Sequence, residues 1–212
     1  MSLRSGFISA AIIASLACSA SHATAHAASG QISQLSLLPL HDGLNTFESP
    51  LGPFSVFQAW RDNGNAWGYH MYVLTTVIDK RTSVIGIEGS AETPDHSFED
   101  HLRDSPHTGE DALTTIQFAH GELDGKPATL LFEAIRNPKD GPVTSRGPTI
   151  IYIYSLVASD GVPGWTPLYF HFVKKIAVPG TFCSSDIAMK VVTGLPLSAD
   201  AGPPSSPDGC FP

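Results

Sequence analysis

The sequence predicts an all-β fold, an antiparallel two-sheet β-sandwich built from successive hairpins with at most one or two short helices. Three observations carry that expectation. About eight runs rich in β-branched and aromatic residues recur along the chain, Gly, Asn, Asp or Pro marks each junction, and no long stretch has helical periodicity. A chain of 212 residues with 42% hydrophobic content is long enough to bury a core as one domain.

The N-terminus reads as an address. Arg4 supplies the positive n-region, Phe7 to Ala17 is a short apolar run, and Ala23-Thr24-Ala25 and Ala25-His26-Ala27 are small-residue cleavage sites. Residues 1–27 are therefore expected to be a secretory signal peptide cut after Ala25 or Ala27. Cys18 offers a rival lipoprotein site, although Ser15 stands where such motifs carry an aliphatic residue. Removal of Cys18 leaves Cys183 and Cys210, which in an oxidising compartment are expected to pair. The expected address is periplasmic or secreted, without a transmembrane segment. Residues 28–194 would form the domain, and the disulfide would tether a Pro-rich tail, 195–212.

In chain order, the apolar run Leu35 to Leu40 opens the domain. Leu51-Gly52-Pro53 then turns into Phe54 to Ile78, two aromatic-rich strands joined at Asp62-Asn63-Gly64-Asn65. Asn-Gly between apolar runs predicts a tight type I′ hairpin. Alternation sets His70, Tyr72 and Leu74 on one face of the second strand, with Trp67, Tyr69, Met71 and Val73 on the other. Thr82 to Glu88 reads as one β-branched strand. Ser90 to Asp111 is rich in acids and histidines. A loose capping box predicts a turn or two of helix over Ser97 to Asp104, within a surface loop. Leu113 to Glu122 and Ala128 to Arg136 form a hairpin across Asp124-Gly125, and Thr149 to Ala158 and Thr166 to Val178 form a third. Ser185 to Val192 suits either a strand or a helix ended by Gly194.

Composition narrows function by exclusion. A net charge of −8 argues against nucleic acid as a partner. The G-x-S-x-G elbow, S-x-x-K with K-T-G, H-E-x-x-H and both Gly-rich phosphate loops are missing. No cofactor is expected. His96, Asp100, His101 and His107 have metal-ligand chemistry, and they support a metal-dependent hydrolase as the alternative reading. His96 and His101 would not share a helix face, however. The aromatic hairpin supplies the candidate binding residues: Trp60, Arg61, Asp62, Asn65, Trp67, His70 and Tyr72. Aromatic anchors with a few polar groups suit a small-molecule pocket or a partner face. An apolar patch or free edge on these strands would also suit a homodimer.

The string Ala59-Trp60-Arg61-Asp62-Asn63-Gly64-Asn65-Ala66-Trp67-Gly68-Tyr69 resembles a segment of the CarG-like proteins. Glu110-Asp111, Gln117-Phe118-Ala119 and Asp124 to Leu131 are similar in kind. The likeness spans Leu44 to Asn137. It implies an exported bacterial β-rich protein linked with self-resistance to carbapenems, protecting without destroying the antibiotic. Trp67 stands where that segment has histidine, and no catalytic residue is carried over. The resulting expectation is an exported, non-enzymatic binding or protective protein, its partner a small molecule or an envelope protein. Its role would lie in carbapenem resistance or envelope stress tolerance.

Overall fold

The computed structural model describes residues 30–89, 98–107, 111–197 and 206–210. The segment expected to be a signal peptide, residues 1–27, and His96 lie outside them. The strands are β1 (Ile32–Leu38), β2 (Gly43–Phe47), β3 (Phe54–Arg61), β4 (Tyr69–Ile78), β5 (Arg81–Val84), β6 (Gly86–Glu88), β7 (Phe98–Glu99) and β8 (Leu102–Arg103). They continue with β9 (Thr114–Leu123), β10 (Lys126–Arg136), β11 (Thr149–Ala158) and β12 (Leu168–Ala177), and the helix α1 spans Ser185–Thr193. One sheet runs β1-β9-β10-β11-β12-β6-β7. The other runs β2-β3-β4-β5, with β8 also on β4. All pairings are antiparallel except β6 on β12.

Between the sheets, Phe54, Val56, Tyr72 and Leu74 of the smaller one pack with Phe118, Leu131, Tyr154 and Phe170 of the larger. Burying each such side chain contributes about 1.5–3 kcal/mol. The larger sheet is covered on its other face too, where Leu130, Phe132, Ile151 and Ile153 meet Ala188 and Met189 of α1. This third layer explains why β9 to β11 read as continuous apolar runs, since both faces of those strands are buried. Gly194 ends α1 in the left-handed conformation, its N–H donating to the Lys190 carbonyl. The stretch Ser185 to Val192 is thus helical.

Three local expectations need correction. Asp62-Asn63-Gly64-Asn65 is not a two-residue turn. Gly64 has positive φ but Asn63 does not, and residues 62–68 form a longer loop. Its polar side chains build it: Gly64 N–H donates to Asp62 Oδ1, Trp67 N–H to Asn65 Oδ1, and Asn63 Nδ2 to the Trp67 carbonyl. The type I′ geometry occurs instead at Asp124-Gly125 and Asp79-Lys80, where both residues have positive φ. Second, Thr82 to Glu88 is split: β5 stays on β4, while β6 crosses to β12 in the other sheet. Third, no helix forms over residues 98–104. That stretch makes β7 and β8, because Phe98 stacks on Trp165 and Tyr169 while Leu102 enters the inter-sheet core.

Cys183 and Cys210 form a disulfide, Cα to Cα 4.9 Å. It holds residues 206–210 beside the start of α1, reinforced by Cys183 N–H on the Asp208 carbonyl and by an Arg146–Asp208 ion pair at 2.7 Å. Among the described residues no helix is long and apolar enough to cross a membrane.

Candidate functional site

Strand alternation places His70, Tyr72 and Leu74 on the inner face of β4, each of them buried. The first two reach one carboxylate from the chain just past β8. Asp104 Oδ2 lies 2.8 Å from His70 Nδ1 and accepts from the Tyr72 hydroxyl at 2.7 Å, while Oδ1 accepts from the His70 backbone N–H at 2.7 Å. Asp104 N–H returns a bond to the His70 carbonyl. The carboxylate thus joins β4 to the chain that crosses from β8 towards β9. Trp60, opposite His70 in the β3–β4 ladder, stacks on the imidazole with ring centroids 4.8 Å apart.

That stack depends on a glycine. A Cβ at Gly68 would lie 2.2 Å from Trp60 Cζ2. The ring is 44% exposed, so the conflict is expected to be relieved by the ring turning towards solvent and not by the backbone. Gly68→Ala is therefore expected to cost only about 1 kcal/mol of stability while moving Trp60 off His70. A changed tryptophan emission spectrum with a nearly unchanged thermal midpoint is the expected result.

The other hairpin residues go elsewhere. Arg61 lies on the outer face, where it donates to the Tyr69 hydroxyl at 2.7 Å. That bond, with Arg103 nearby, draws the Tyr69 phenol below its ordinary pKa. Asp62 and Asn65 hold the 62–68 loop. Trp67 packs edge-on against His107 at 4.4 Å, and His107 Nδ1 lies 3.1 Å from Asp111 Oδ2. Of the proposed metal ligands, Asp100 and His101 are exposed and His107 is tucked beneath Trp67. Among the described residues no three His, Cys, Asp or Glu side chains gather as a metal site.

Tyr72 and Asp104 also line a cavity of about 320 Å³. Its apolar wall includes Leu37, Pro39, Leu40, Phe118, Pro196 and Leu197, and its polar groups include Gln58, Gln117 and Asp186. A mostly apolar cleft with a few converging polar groups has the character of a ligand site. Asp104, Gln117 and Asp186 are absent from the sequence-based site. Asp104 is one acid among several in the 90–111 stretch, and Gln117 looks like an ordinary strand residue. Only the tertiary fold brings them to one cavity.

The architecture is a β-sandwich with a small cleft beside its aromatic hairpin. No family model matches the sequence, and no curated protein matches it significantly. The crystal structure of CarG has the same fold. It superposes with a TM-score of 0.59 and 16% sequence identity, covering 74% of this chain and 95% of CarG. The resemblance read from Leu44 to Asn137 thus extends to the architecture.

Proposed function

We propose that the protein is exported and non-enzymatic, and that it protects the cell envelope by binding a small molecule or a partner in the cavity beside Tyr72 and Asp104. The observation carrying this reading is the junction of a bonded cluster with an apolar cleft. His70 and Tyr72 fix Asp104, and Asp104 forms part of the cavity wall. A site positioned in this way is pre-organised and loses little freedom on binding. The signal sequence and the Cys183–Cys210 disulfide support export. Missing hydrolase motifs and the CarG-like fold support protection without turnover, with intrinsic carbapenem resistance as the role the resemblance implies.

A thermal-shift screen of the mature protein against carbapenems, capped peptides and divalent metals tests the reading. A ligand that binds only the folded state adds about 2.7 kcal/mol at a hundredfold excess over Kd. The expected result is a raised midpoint with at least one organic ligand, recovered intact afterwards. Hydrolysis of the ligand, or a shift with metal alone, would overturn it.

A further inference from the structure

The cavity sits at a break in a β-ladder. Arg136 N–H donates to the Leu113 carbonyl, so the alternation of an antiparallel strand turns the backbone groups of Thr115 and Gln117 towards β10. Those of Thr114, Ile116 and Phe118 face the opposite way. Thr114 is met there by Ser105, with Ser105 N–H on its carbonyl at 2.9 Å, and Phe118 is met by Leu38. Ile116 lies between them and has no strand opposite it among the described residues. Two chains part at this point. Leu38 leads into Pro39, which cannot donate, and Arg103 belongs to β8 on the other sheet, opposite Met71.

Ile116 is buried, and a buried backbone N–H or carbonyl is costly to leave without a partner. A second deficit lies next to it. Gln117 is 5% exposed, and its Nε2 donates to the Pro196 carbonyl at 2.9 Å. Its Oε1 has no hydrogen-bond partner among the described residues. Among the described residues, then, Ile116 has no strand opposite it and Gln117 Oε1 no hydrogen-bond partner, within an apolar cleft. Its acidic groups are Asp104 and Asp186, and its described lining residues include no Lys, Arg or His.

Resting on the cavity reading above, we infer that the ligand is a short extended peptide whose backbone completes the β-ladder at Ile116. One residue exchanging N–H and C=O with Ile116 would fill the gap between Ser105 and Leu38, as in strand addition at a sheet edge. Its side chain would lie against Leu40 and Leu197. A free carboxylate at the buried end would face the Asp104 carboxylate, which disfavours it.

N-acetyl-leucine methylamide supplies one residue with both backbone groups and no charge. Titrated into ¹⁵N-labelled mature protein at millimolar concentration, it is expected to shift the amides of Ile116, Gln117, Leu38 and Leu40. The same probe methylated on the leucine nitrogen, and N-acetyl-leucine with its free carboxylate, are each expected to bind at least tenfold more weakly. Equal binding by the N-methylated probe would overturn ladder completion while leaving a ligand cavity in place. Shifts confined to other residues would overturn it as well. If no probe binds and the thermal-shift screen is also flat, the cavity reading falls with it.

Discussion

Replacing Asp104 with alanine is expected to lower the unfolding free energy by about 4 kcal/mol, read by urea denaturation. The reason is geometric. One carboxylate accepts from the His70 backbone N–H and the Tyr72 hydroxyl and lies 2.8 Å from His70 Nδ1. Hydrogen bonds to a charged group contribute about 1.5–3 kcal/mol each, and three sharing one acceptor do not add fully. His70 and Tyr72 are both buried, and alanine would leave the backbone N–H of residue 104 on the His70 carbonyl as the remaining bond between these two residues. Asp104→Asn separates the two oxygens. An amide oxygen in the Oδ1 position keeps the backbone bond, while the amide nitrogen faces the Tyr72 hydroxyl as a second donor. About half the loss is expected. A cost below about 1 kcal/mol for alanine would show that the cluster does not hold the two segments together. Because Asp104 lines the cavity, ligand binding should weaken in both variants, including under conditions where each is fully folded.

The legible part of this molecule is local. The alternation of β4, with His70, Tyr72 and Leu74 inward, follows from period two and a single buried face. Asp124-Gly125 forms the turn its residue types demand. The Cys183–Cys210 pairing matches the expectation drawn from the two cysteines that lie outside the predicted signal peptide. What escaped sequence reasoning depends on distant partners. Thr82 to Glu88 is continuous in propensity, but Ile85 is buried where the chain passes from one sheet to the other. Phe98 and Leu102 sit four apart, as on a helix, yet their ring and core partners come from Trp165 and Tyr169 at and just before β12 and from between the sheets. In the 62–68 loop, side-chain bonds from Asp62, Asn63 and Asn65 outcompeted the Asn-Gly turn preference. Of the seven hairpin residues named from the sequence, three meet at the Asp104 cluster. Trp60, His70 and Tyr72 share the inner face, whereas Arg61 alternates outward and Trp67 leaves with the loop. Asp104 had no local signal for this cluster, and Gln117 stood out only within the Gln117-Phe118-Ala119 run of the resemblance.

Between pH 4.5 and 7 the protein is expected to lose up to about 3 kcal/mol of stability as pH rises, and Glu133→Gln is expected to abolish that loss. Glu133 lies beside Leu131 and Ile135 on β10, in a second cleft of about 190 Å³ with Glu88, Glu99, Tyr152 and Tyr154. Burial, then the negative charge of Glu99, push its carboxyl up to about 7, against a weaker opposing pull from the Tyr154 hydroxyl. Glu88 is engaged elsewhere, by His171 Nδ1 and the Phe172 N–H. The sign follows from proton binding. Below pH 4.5 the carboxyl is protonated in both the folded and the unfolded chain, so no penalty exists. Between about 4.5 and 7 the folded state holds a proton that the unfolded state has released, so raising the pH favours unfolding. Above 7 both are ionised, and the folded protein carries the full cost of a buried charge facing Glu99. Glutamine keeps the shape, cannot ionise, and can donate an amide hydrogen to Glu99. Urea denaturation at pH 4, 6 and 8 checks this: the variant should match the wild type at pH 4 and exceed it at pH 8. Parallel curves would assign the pH dependence to other groups.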